Sequence, residues 1–336
     1  MDKKLLNDTA KALVARHKGI LAADESVGTM TTRLDVIGVP STEETRRAYR
    51  DVLLTIQKMN TYISGVIPFD ETIRQSTDGG DPFPSLLNHN GVITGIKVDK
   101  KALPMTNFPN EKITAGLDGL DERLKEYKSL GASFAKWRAV ITIGEGIPTD
   151  TCINSNAEML ARYAALCQEN DIVPIVEPEV MMDGDHDIKR CEHVTYSTIK
   201  KVFTKLQEHN VYLGGVILKI NMVLPGRESS EEVTDEQIAD ATLRVFKDNV
   251  PDEVPGIVFL SGGQSAEEAT RRLNEIAKKS ELLGVPWEIS YSFGRALQEE
   301  TLATWQGKRE NIEAAKSAFL SRAQKVSSAR EGKLDE

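Results

Sequence analysis

The sequence of 336 residues contains few cysteines, few aromatic residues and no long apolar run. Its three cysteines, Cys152, Cys167 and Cys191, form neither a CxxC pair nor an even-numbered set, so we expect free thiols in a reducing compartment. No stretch approaches the roughly 20 apolar residues that a membrane helix needs. Residues 1–19 carry scattered charges instead of the apolar core of a signal peptide. We therefore expect a soluble, cytoplasmic protein with no membrane partner.

An excess of basic residues is also missing. The chain has 42 Lys and Arg residues against 51 Asp and Glu residues, which gives a formal net charge of −9. A protein without a broad basic field does not neutralise nucleic-acid phosphates, so we expect no nucleic-acid partner. A site for an anionic substrate must then be a local concentration of lysine and arginine.

Short β-rich apolar runs alternate with amphipathic helical segments almost to the end of the chain. The predicted strands are Ile20–Ala23, Ile63–Phe69, Val92–Val98, Phe134–Ile141, Ile172–Val180, Gly215–Asn221, Gly256–Ser261 and Glu288–Phe293. Eight such units favour an α/β fold, a single (β/α)8 TIM barrel with parallel strands. An open doubly wound sheet is the alternative, but it usually carries a nucleotide-binding glycine loop, and the sequence has none. We predict one domain over residues 1–336, with a polar tail at about residues 327–336 that frays.

Ionisable side chains interrupt four of these apolar strands. They are Lys97, Lys136, Arg138, Glu177, Glu179 and Lys219. Strand parity places the two charges of each doubly charged strand on one face, and places Lys219 on the same face as Asn221. Because burying such groups without partners is costly, we expect them to converge at the C-terminal ends of the strands, where barrel enzymes bind substrate. Structural ion pairs explain any one of them alone, but four strands together indicate a site for a phosphorylated substrate.

Lys219 is the strongest candidate for a nucleophile. An ordinary lysine has a pKa of about 10.4, so roughly one in a few thousand is neutral at pH 7, whereas attack on a carbonyl needs the neutral amine. Desolvation and a neighbouring cation such as Lys136 favour a lower pKa. A decrease of about three units takes on the order of 4 kcal/mol. Glu177, on the preceding strand, is the natural proton shuttle for the carbinolamine step.

Two loops, after the seventh and eighth predicted strands, are candidate phosphate sites, and this fold usually binds phosphate there. Leu260–Ser265 (LSGGQS) leads into a helix, so its backbone N–H groups and hydroxyls can face an anion. Ser292–Arg295 (SFGR) adds a guanidinium. A glycine-rich loop alone is more often a simple turn, whereas the two loops together indicate a phosphate site.

These residues resemble the class I fructose-bisphosphate aldolases. The matching segments follow the family order from about residue 10 to residue 330: GILAADES (Gly19–Ser26), EETRRAYR (Glu43–Arg50), GIKVDK (Gly95–Lys100), GLDGLDER (Gly116–Arg123), FAKWR (Phe134–Arg138), VPIVEPE (Val173–Glu179), DGDHDIKRC (Asp183–Cys191), LSGGQS (Leu260–Ser265) and GRALQ (Gly294–Gln298). The resemblance implies reversible cleavage of fructose 1,6-bisphosphate, in glycolysis and gluconeogenesis. The products are dihydroxyacetone phosphate and glyceraldehyde 3-phosphate, formed through a lysine Schiff base without a cofactor.

The resemblance also implies a role for each site residue. Lys219 matches the Schiff-base lysine, Glu177 the acid and base of the carbinolamine and imine steps, and Asp24 the base of carbon–carbon cleavage. Lys136 matches the lysine beside the imine, Arg138 a supporting cation, and Glu179 a carboxylate that orients the lysines. The implied phosphate-binding residues are Ser26, Arg33, Arg46 and Lys97 at the 6-phosphate end, and Ser261, Gly262, Gly294 and Arg295 at the 1-phosphate end.

Three departures from the family pattern are visible. Ile220 stands where proline often follows the Schiff-base lysine, and Thr29 stands where serine is common but keeps the hydroxyl. The sequence ends at Glu336, before the terminal tyrosine that assists proton exchange on the enamine in many members. We therefore expect that proton transfer to use another group or to be slower, or fructose 1-phosphate to be tolerated relatively well.

Alternative functions, a metal site and the oligomeric state are considered in turn. Another Schiff-base barrel aldolase, such as a transaldolase or a deoxyribose-phosphate aldolase, shares the lysine but not LSGGQS with GRALQ. A Schiff-base aldolase that prefers fructose 1-phosphate is a further alternative. A non-catalytic scaffold needs none of the charged strand residues. We predict no metal site, because Asp183–Asp187 (DGDHD) lacks the glycine and glutamate of a calcium loop at Ile188 and Val194. Family members are usually homotetramers, and we expect a homo-oligomer here.

Overall fold

The structure, a computed structural model, describes residues 1–334. Its central sheet has eight parallel strands: β1 (Gly19–Ala23), β2 (Ile63–Pro68), β3 (Ile93–Thr94), β6 (Phe134–Ile141), β7 (Val173–Val180), β8 (Ile217–Ile220), β9 (Gly256–Phe259) and β10 (Glu288–Phe293). The strand order is β3-β2-β1-β10-β9-β8-β7-β6. A separate antiparallel pair, β4 (Lys101–Pro104) and β5 (Lys112–Ala115), was not predicted from the sequence.

Backbone hydrogen bonds join the two ends of this sheet into a barrel. The N–H of Ser133 donates to the carbonyl of Thr94 at 2.8 Å, and the N–H of Lys136 donates to that of Ile96 at 2.8 Å. The N–H of Val98 donates to the carbonyl of Lys136 at 3.1 Å. The chain after β3 therefore continues to pair with β6. This pairing confirms the predicted (β/α)8 barrel over the open sheet.

Helices surround the barrel and follow the strands along the chain. They are α1 (Lys3–Leu13), α2 (Val27–Val36), α3 (Glu43–Leu54), α4 (Asp70–Ile73), α5 (Phe83–His89), α6 (Leu120–Ser129), α7 (Asp150–Glu169), α8 (Ile188–Glu208), α9 (Asp235–Asn249), α10 (Ala266–Leu283), α11 (Arg295–Trp305) and α12 (Ile312–Arg330). Capping boxes begin α9 at Thr234 and α10 at Ser265. None of the helices described in residues 1–334 is both long and apolar enough to cross a membrane.

An apolar cluster fills the N-terminal half of the barrel. Leu6, Ala10 and Leu13 of α1 pack against barrel side chains such as Phe134 and Ile175, and all five are fully buried. Water is excluded there, so charged side chains that point inward lie beyond this cluster, toward the C-terminal opening. The N-terminal part of the barrel interior is therefore apolar, and its C-terminal opening is polar.

The prediction of a fraying tail is wrong for residues 327–330. Helix α12 continues to Arg330, whose buried guanidinium donates to the carbonyls of Val14 (2.7 Å), Ala15 (2.9 Å) and Ile289 (3.1 Å). The prediction rested on polar composition alone. An arginine that donates to several backbone carbonyls can nevertheless hold the end of a helix in place. Residues 335–336 lie outside the described residues.

Candidate active site

A cavity of about 480 Å³ opens at the C-terminal end of the barrel. Every predicted site residue except Arg46 lines it: Asp24, Ser26, Arg33, Lys97, Lys136, Arg138, Glu177, Glu179, Lys219, Ser261, Gly262, Gly294 and Arg295. They come from β6, β7 and β8, from α2 and the residues that connect it to β1, from the segment after β3, and from the chain that follows β9 and β10. The barrel therefore brings together side chains that are far apart along the chain.

Two buried lysines and two carboxylates form a connected cluster at the bottom of this cavity. The Nζ of Lys219 lies 3.1 Å from Oε1 of Glu177, and the Nζ of Lys136 lies 3.2 Å from Oε2 of the same carboxylate. Lys136 also pairs with Asp24 at 2.6 Å. Glu177 thus bridges the two lysines, and Lys136 bridges the two carboxylates.

Lys136 lies deeper in the barrel than the sequence indicated. It is the third residue of the eight in β6, not a residue near the C-terminal end of that strand. Only 3% of its surface is exposed. Its depth explains why it has carboxylates on several sides: besides Asp24 and Glu177, Asp99 lies 3.9 Å from its Nζ.

The cluster shifts the pKa values of its members in opposite directions. Burial alone raises the pKa of Asp24, but Lys136 and Lys219 outweigh it and hold that pKa well below its usual range. The pKa of Glu177 is lowered in the same way, by Lys136, Lys219 and Arg138 against burial. Burial disfavours the ammonium of Lys136, yet Asp24, Glu177 and Asp99 raise its pKa. Both carboxylates are therefore ionised at neutral pH and can accept a proton.

Glu179 contacts a different partner from the one expected. It accepts a hydrogen bond from Nε of Arg138 on the neighbouring strand, and its ion pair in the described chain is with that arginine and not with Lys136 or Lys219. The pKa of Arg138 is raised, because Glu179 outweighs the effect of burial. Glu179 therefore fixes Arg138 on the cavity wall, and the expectation that it orients the lysines is wrong.

One end of the cavity is formed by α2 and the loop after β3. Ser26 caps α2, and its hydroxyl oxygen lies 3.1 Å from that of Thr29. Arg33, on the same helix, is bound by the buried carboxylate of Glu25. The Nζ of Lys97 lies 3.0 Å from Asp99. This end presents an arginine, a lysine and two hydroxyls, a set that suits a phosphate.

A second part of the cavity rim is formed by the loops after β9 and β10. Nη2 of Arg295 donates to the carbonyls of Gly262 at 3.2 Å and Gln264 at 2.8 Å. Gly262 has a φ of 54°, in the left-handed region that glycine adopts readily. Ser261 and Gly294 complete this rim of the cavity.

Two predicted placements are wrong. Arg46 does not line the cavity, because Glu71 binds its guanidinium through two hydrogen bonds of 2.8 and 2.6 Å. Asn221 does not share the face of Lys219. Strand β8 ends at Ile220, and the Asn221 side chain turns outward, where it accepts from the N–H of Val180 at 3.0 Å.

Glu25 and Asp99 are site residues that the sequence did not reveal. Glu25 accepts hydrogen bonds from Arg50 at 2.7 Å and Gln298 at 2.9 Å in addition to Arg33. Both acids follow the end of an extended segment, where strand parity no longer predicts direction. The sequence offered one indication of their role: Glu25 directly follows Asp24, and Asp99 comes two residues after Lys97.

Comparison with known proteins decides the family. A family model described as fructose-bisphosphate aldolase class-I matches residues 5–336. The chain belongs to the class I fructose-bisphosphate aldolases. It is 53% identical over 305 residues to a probable class 1 aldolase of Xanthomonas campestris, which covers 91% of this chain and 90% of that protein. It is 49% identical over 334 residues to aldolase C of Pan troglodytes, which covers 99% of this chain and 91% of that protein.

A solved structure agrees with this assignment. The fructose-bisphosphate aldolase of Plasmodium falciparum, crystallised with TRAP and a small-molecule inhibitor, is 46% identical and has a TM-score of 0.97, covering 99% of this chain and 96% of that chain. The family, the lyase activity and the phosphorylated sugar substrate predicted from the sequence are thus confirmed. In residues 1–334, no group of three or more His, Cys, Asp or Glu side chains is placed to hold a metal ion.

Proposed function

We propose that this aldolase cleaves fructose 1,6-bisphosphate through a Schiff base on Lys219. The observation that carries this assignment is the unbroken series of contacts from the Lys219 amine through Glu177 and Lys136 to Asp24, at 3.1, 3.2 and 2.6 Å. An amine, a proton shuttle and a second base within one cluster are the groups that imine-based cleavage needs.

Glu177 serves the formation of the imine. The neutral amine of Lys219 attacks the ketose carbonyl at carbon 2, and the carbonyl oxygen takes up a proton to give the carbinolamine. Glu177, ionised in the free site, first accepts the proton that the nitrogen loses. It then returns a proton to the carbinolamine hydroxyl, which leaves as water. The protonated imine that remains is an electron sink for the next step.

Asp24 serves the cleavage itself. Its ionised carboxylate accepts the proton of the hydroxyl on carbon 4 while the bond between carbons 3 and 4 breaks. The electron pair of that bond passes to the imine and gives an enamine, and glyceraldehyde 3-phosphate leaves. Protonation of carbon 3 and hydrolysis of the imine release dihydroxyacetone phosphate and restore the amine. Lys136 keeps Asp24 ionised through its direct ion pair.

The two cationic groups that line the cavity fit the two phosphates. Arg33, Lys97 and Ser26 are proposed for the 6-phosphate, with Arg138 as an additional cation on the wall. The 1-phosphate is proposed for the second group, Ser261, Gly262, Gly294 and Arg295. Lys219 lines the same cavity, so carbon 2 of a ketose bound there can be placed for attack by its amine.

Borohydride trapping tests the assignment of the nucleophile. Incubation with dihydroxyacetone phosphate and borohydride should reduce the imine to a stable secondary amine, and peptide mass mapping should find it on Lys219. EDTA should leave the yield unchanged, because no metal is required. An adduct on another lysine, or no adduct in an active preparation, would overturn the assignment.

We further propose that residues 1–336 form one domain that assembles as a homotetramer in the cytoplasm. The tetramer is the usual state of the family, and the proposal rests on that resemblance. Light scattering coupled to gel filtration tests the proposed mass.

A further inference from the structure

Arg227, in the loop between β8 and α9, lies on the rim of the active-site cavity and has no part in the function proposed above. It lines the cavity together with Ser261, Gly262, Gly263 and Arg295. Among residues 1–334, no carboxylate forms an ion pair with its guanidinium; Nη2 donates to the carbonyl of Gly263 at 3.4 Å. A guanidinium without a protein anion at the mouth of an anion site is available to a ligand.

The backbone at Arg227 is held rigidly against the loop after β7. The N–H of Arg227 donates to the carbonyl of Met182 at 2.7 Å, and those of Gly226 and Glu228 donate to His186 and Gly184 at 2.7 and 2.9 Å. A Cβ on Gly226 would lie 2.2 Å from the Gly184 carbonyl oxygen, so this close approach requires glycine. The point from which the Arg227 side chain extends is therefore fixed relative to the barrel.

Gly263 leaves space for the Arg227 guanidinium. A Cβ added at Gly263 would lie 2.2 Å from Nη2 and 3.1 Å from Cζ of Arg227, and the three nearest atoms all belong to that side chain. Gly263 does not have a left-handed φ, so its backbone alone does not require glycine. The Arg227 guanidinium can therefore occupy its position only because residue 263 has no side chain.

Two arginines consequently flank one loop. Arg295 donates to the carbonyls of Gly262 and Gln264, and Arg227 donates to the carbonyl of Gly263 between them. We propose that Arg227 is a second phosphate-binding arginine, specific for a phosphomonoester on carbon 1 of the sugar. The assignment rests on the proposed function, since it deepens the role of the loop after β9. Forked guanidinium donors suit phosphate oxygens, and binding by two arginines favours substrates that carry this phosphate.

Steady-state kinetics of three variants test the proposal with fructose 1,6-bisphosphate and fructose 1-phosphate. Arg227→Leu should raise KM about tenfold, and kcat should change little. This factor is at the lower end of what a hydrogen bond to a charged group contributes, because the guanidinium is exposed to solvent. The factor should be the same for both substrates, since both carry the phosphate on carbon 1. Arg227→Lys should recover part of the loss. Arg309→Leu, an exposed arginine that does not line the cavity, is the matched control for the change in charge and should leave KM unchanged.

Gly263→Ala provides the sharper test, because it displaces the guanidinium while keeping its charge. It should raise KM as Arg227→Leu does, and the double variant should be no worse than either single one. An unchanged KM in Arg227→Leu, an effect confined to the bisphosphate, or additive effects of the two substitutions would each overturn the proposal. Trapping of the wild-type enzyme with borohydride separates these failures from a failure of the proposed function, because it depends on Lys219 and not on Arg227.

Discussion

Replacing Lys136 by methionine removes the cation around which the catalytic cluster is built. Its side chain is 3% exposed and lies 2.6, 3.2 and 3.9 Å from Asp24, Glu177 and Asp99. Deleting one partner of a buried ion pair costs about 3–5 kcal/mol, because the remaining charges stay buried. For a chain of 336 residues, an unfolding entropy of about 2.1 cal/mol/K per residue converts this loss into a fall in Tm of about 4–7 °C.

The loss should depend on pH in a defined direction. In the wild type the pKa values of Asp24 and Glu177 are lowered, so their contribution to stability is present above the unfolded pKa and lost as pH falls through the folded one. In the variant, Asp24 loses the ion pair and hydrogen bond with Lys136 that oppose the effect of burial, so its folded pKa rises. Protonation in mildly acidic buffer then relieves the buried charge, so the difference from wild type should shrink as pH falls.

Scanning calorimetry at pH 7.5 and pH 5.5 measures both effects. Lys4→Met is the control, since Lys4 pairs with Asp8 on the surface and its loss should leave Tm nearly unchanged. A fall of less than about 2 °C for Lys136→Met at pH 7.5 would refute the reasoning. A difference from wild type that grows at pH 5.5 would refute it as well.

Two further predictions concern residues around the cavity. Arg33→Leu should raise KM for the bisphosphate about tenfold, whereas Arg46→Leu, which loses its pair with Glu71, should leave KM unchanged in steady-state assays; equal effects would contradict the placement of Arg46. Burial lowers the pKa of His186 despite Asp185 and Asp187, so its contribution to stability is present above about pH 6.5 and lost as pH falls through the folded pKa. The Tm of the wild type should therefore fall more between pH 7 and pH 5 than that of His186→Asn, and parallel curves would contradict this.

Features that depend on local periodicity were predictable from the sequence. Each of the eight apolar runs is a barrel strand, because a strand buried on both faces must be continuously apolar. Charges inside such runs have no stable place except a shared polar site, and Lys136, Glu177 and Lys219 lie in contact there. Strand parity was reliable within β6 and β7 and failed at Asn221, one residue past the end of β8.

Features that depend on tertiary partners were not predictable. Arg46 and Arg33 are both arginines on helices near the first barrel strand, yet Glu71 binds one and Glu25 directs the other to the cavity. Arg330 ends a polar segment, yet its side chain is buried and donates to the carbonyls of Ala15 and Val14, near the other end of the chain. The position of Arg227 follows from backbone contacts between two loops, which no spacing in the sequence indicates.

The most direct test of the Schiff-base assignment is the kcat of Lys219→Met for cleavage of fructose 1,6-bisphosphate, measured in EDTA beside the wild type. We predict that the wild type keeps its full rate in EDTA. The rate of the variant should fall by more than about a thousandfold, because a nucleophile that begins every turnover is lost. Circular dichroism of the variant controls for its folding. A variant that retains a tenth or more of the wild-type rate, or a wild type that EDTA inactivates, would contradict the assignment of Lys219 as the amine that forms the imine.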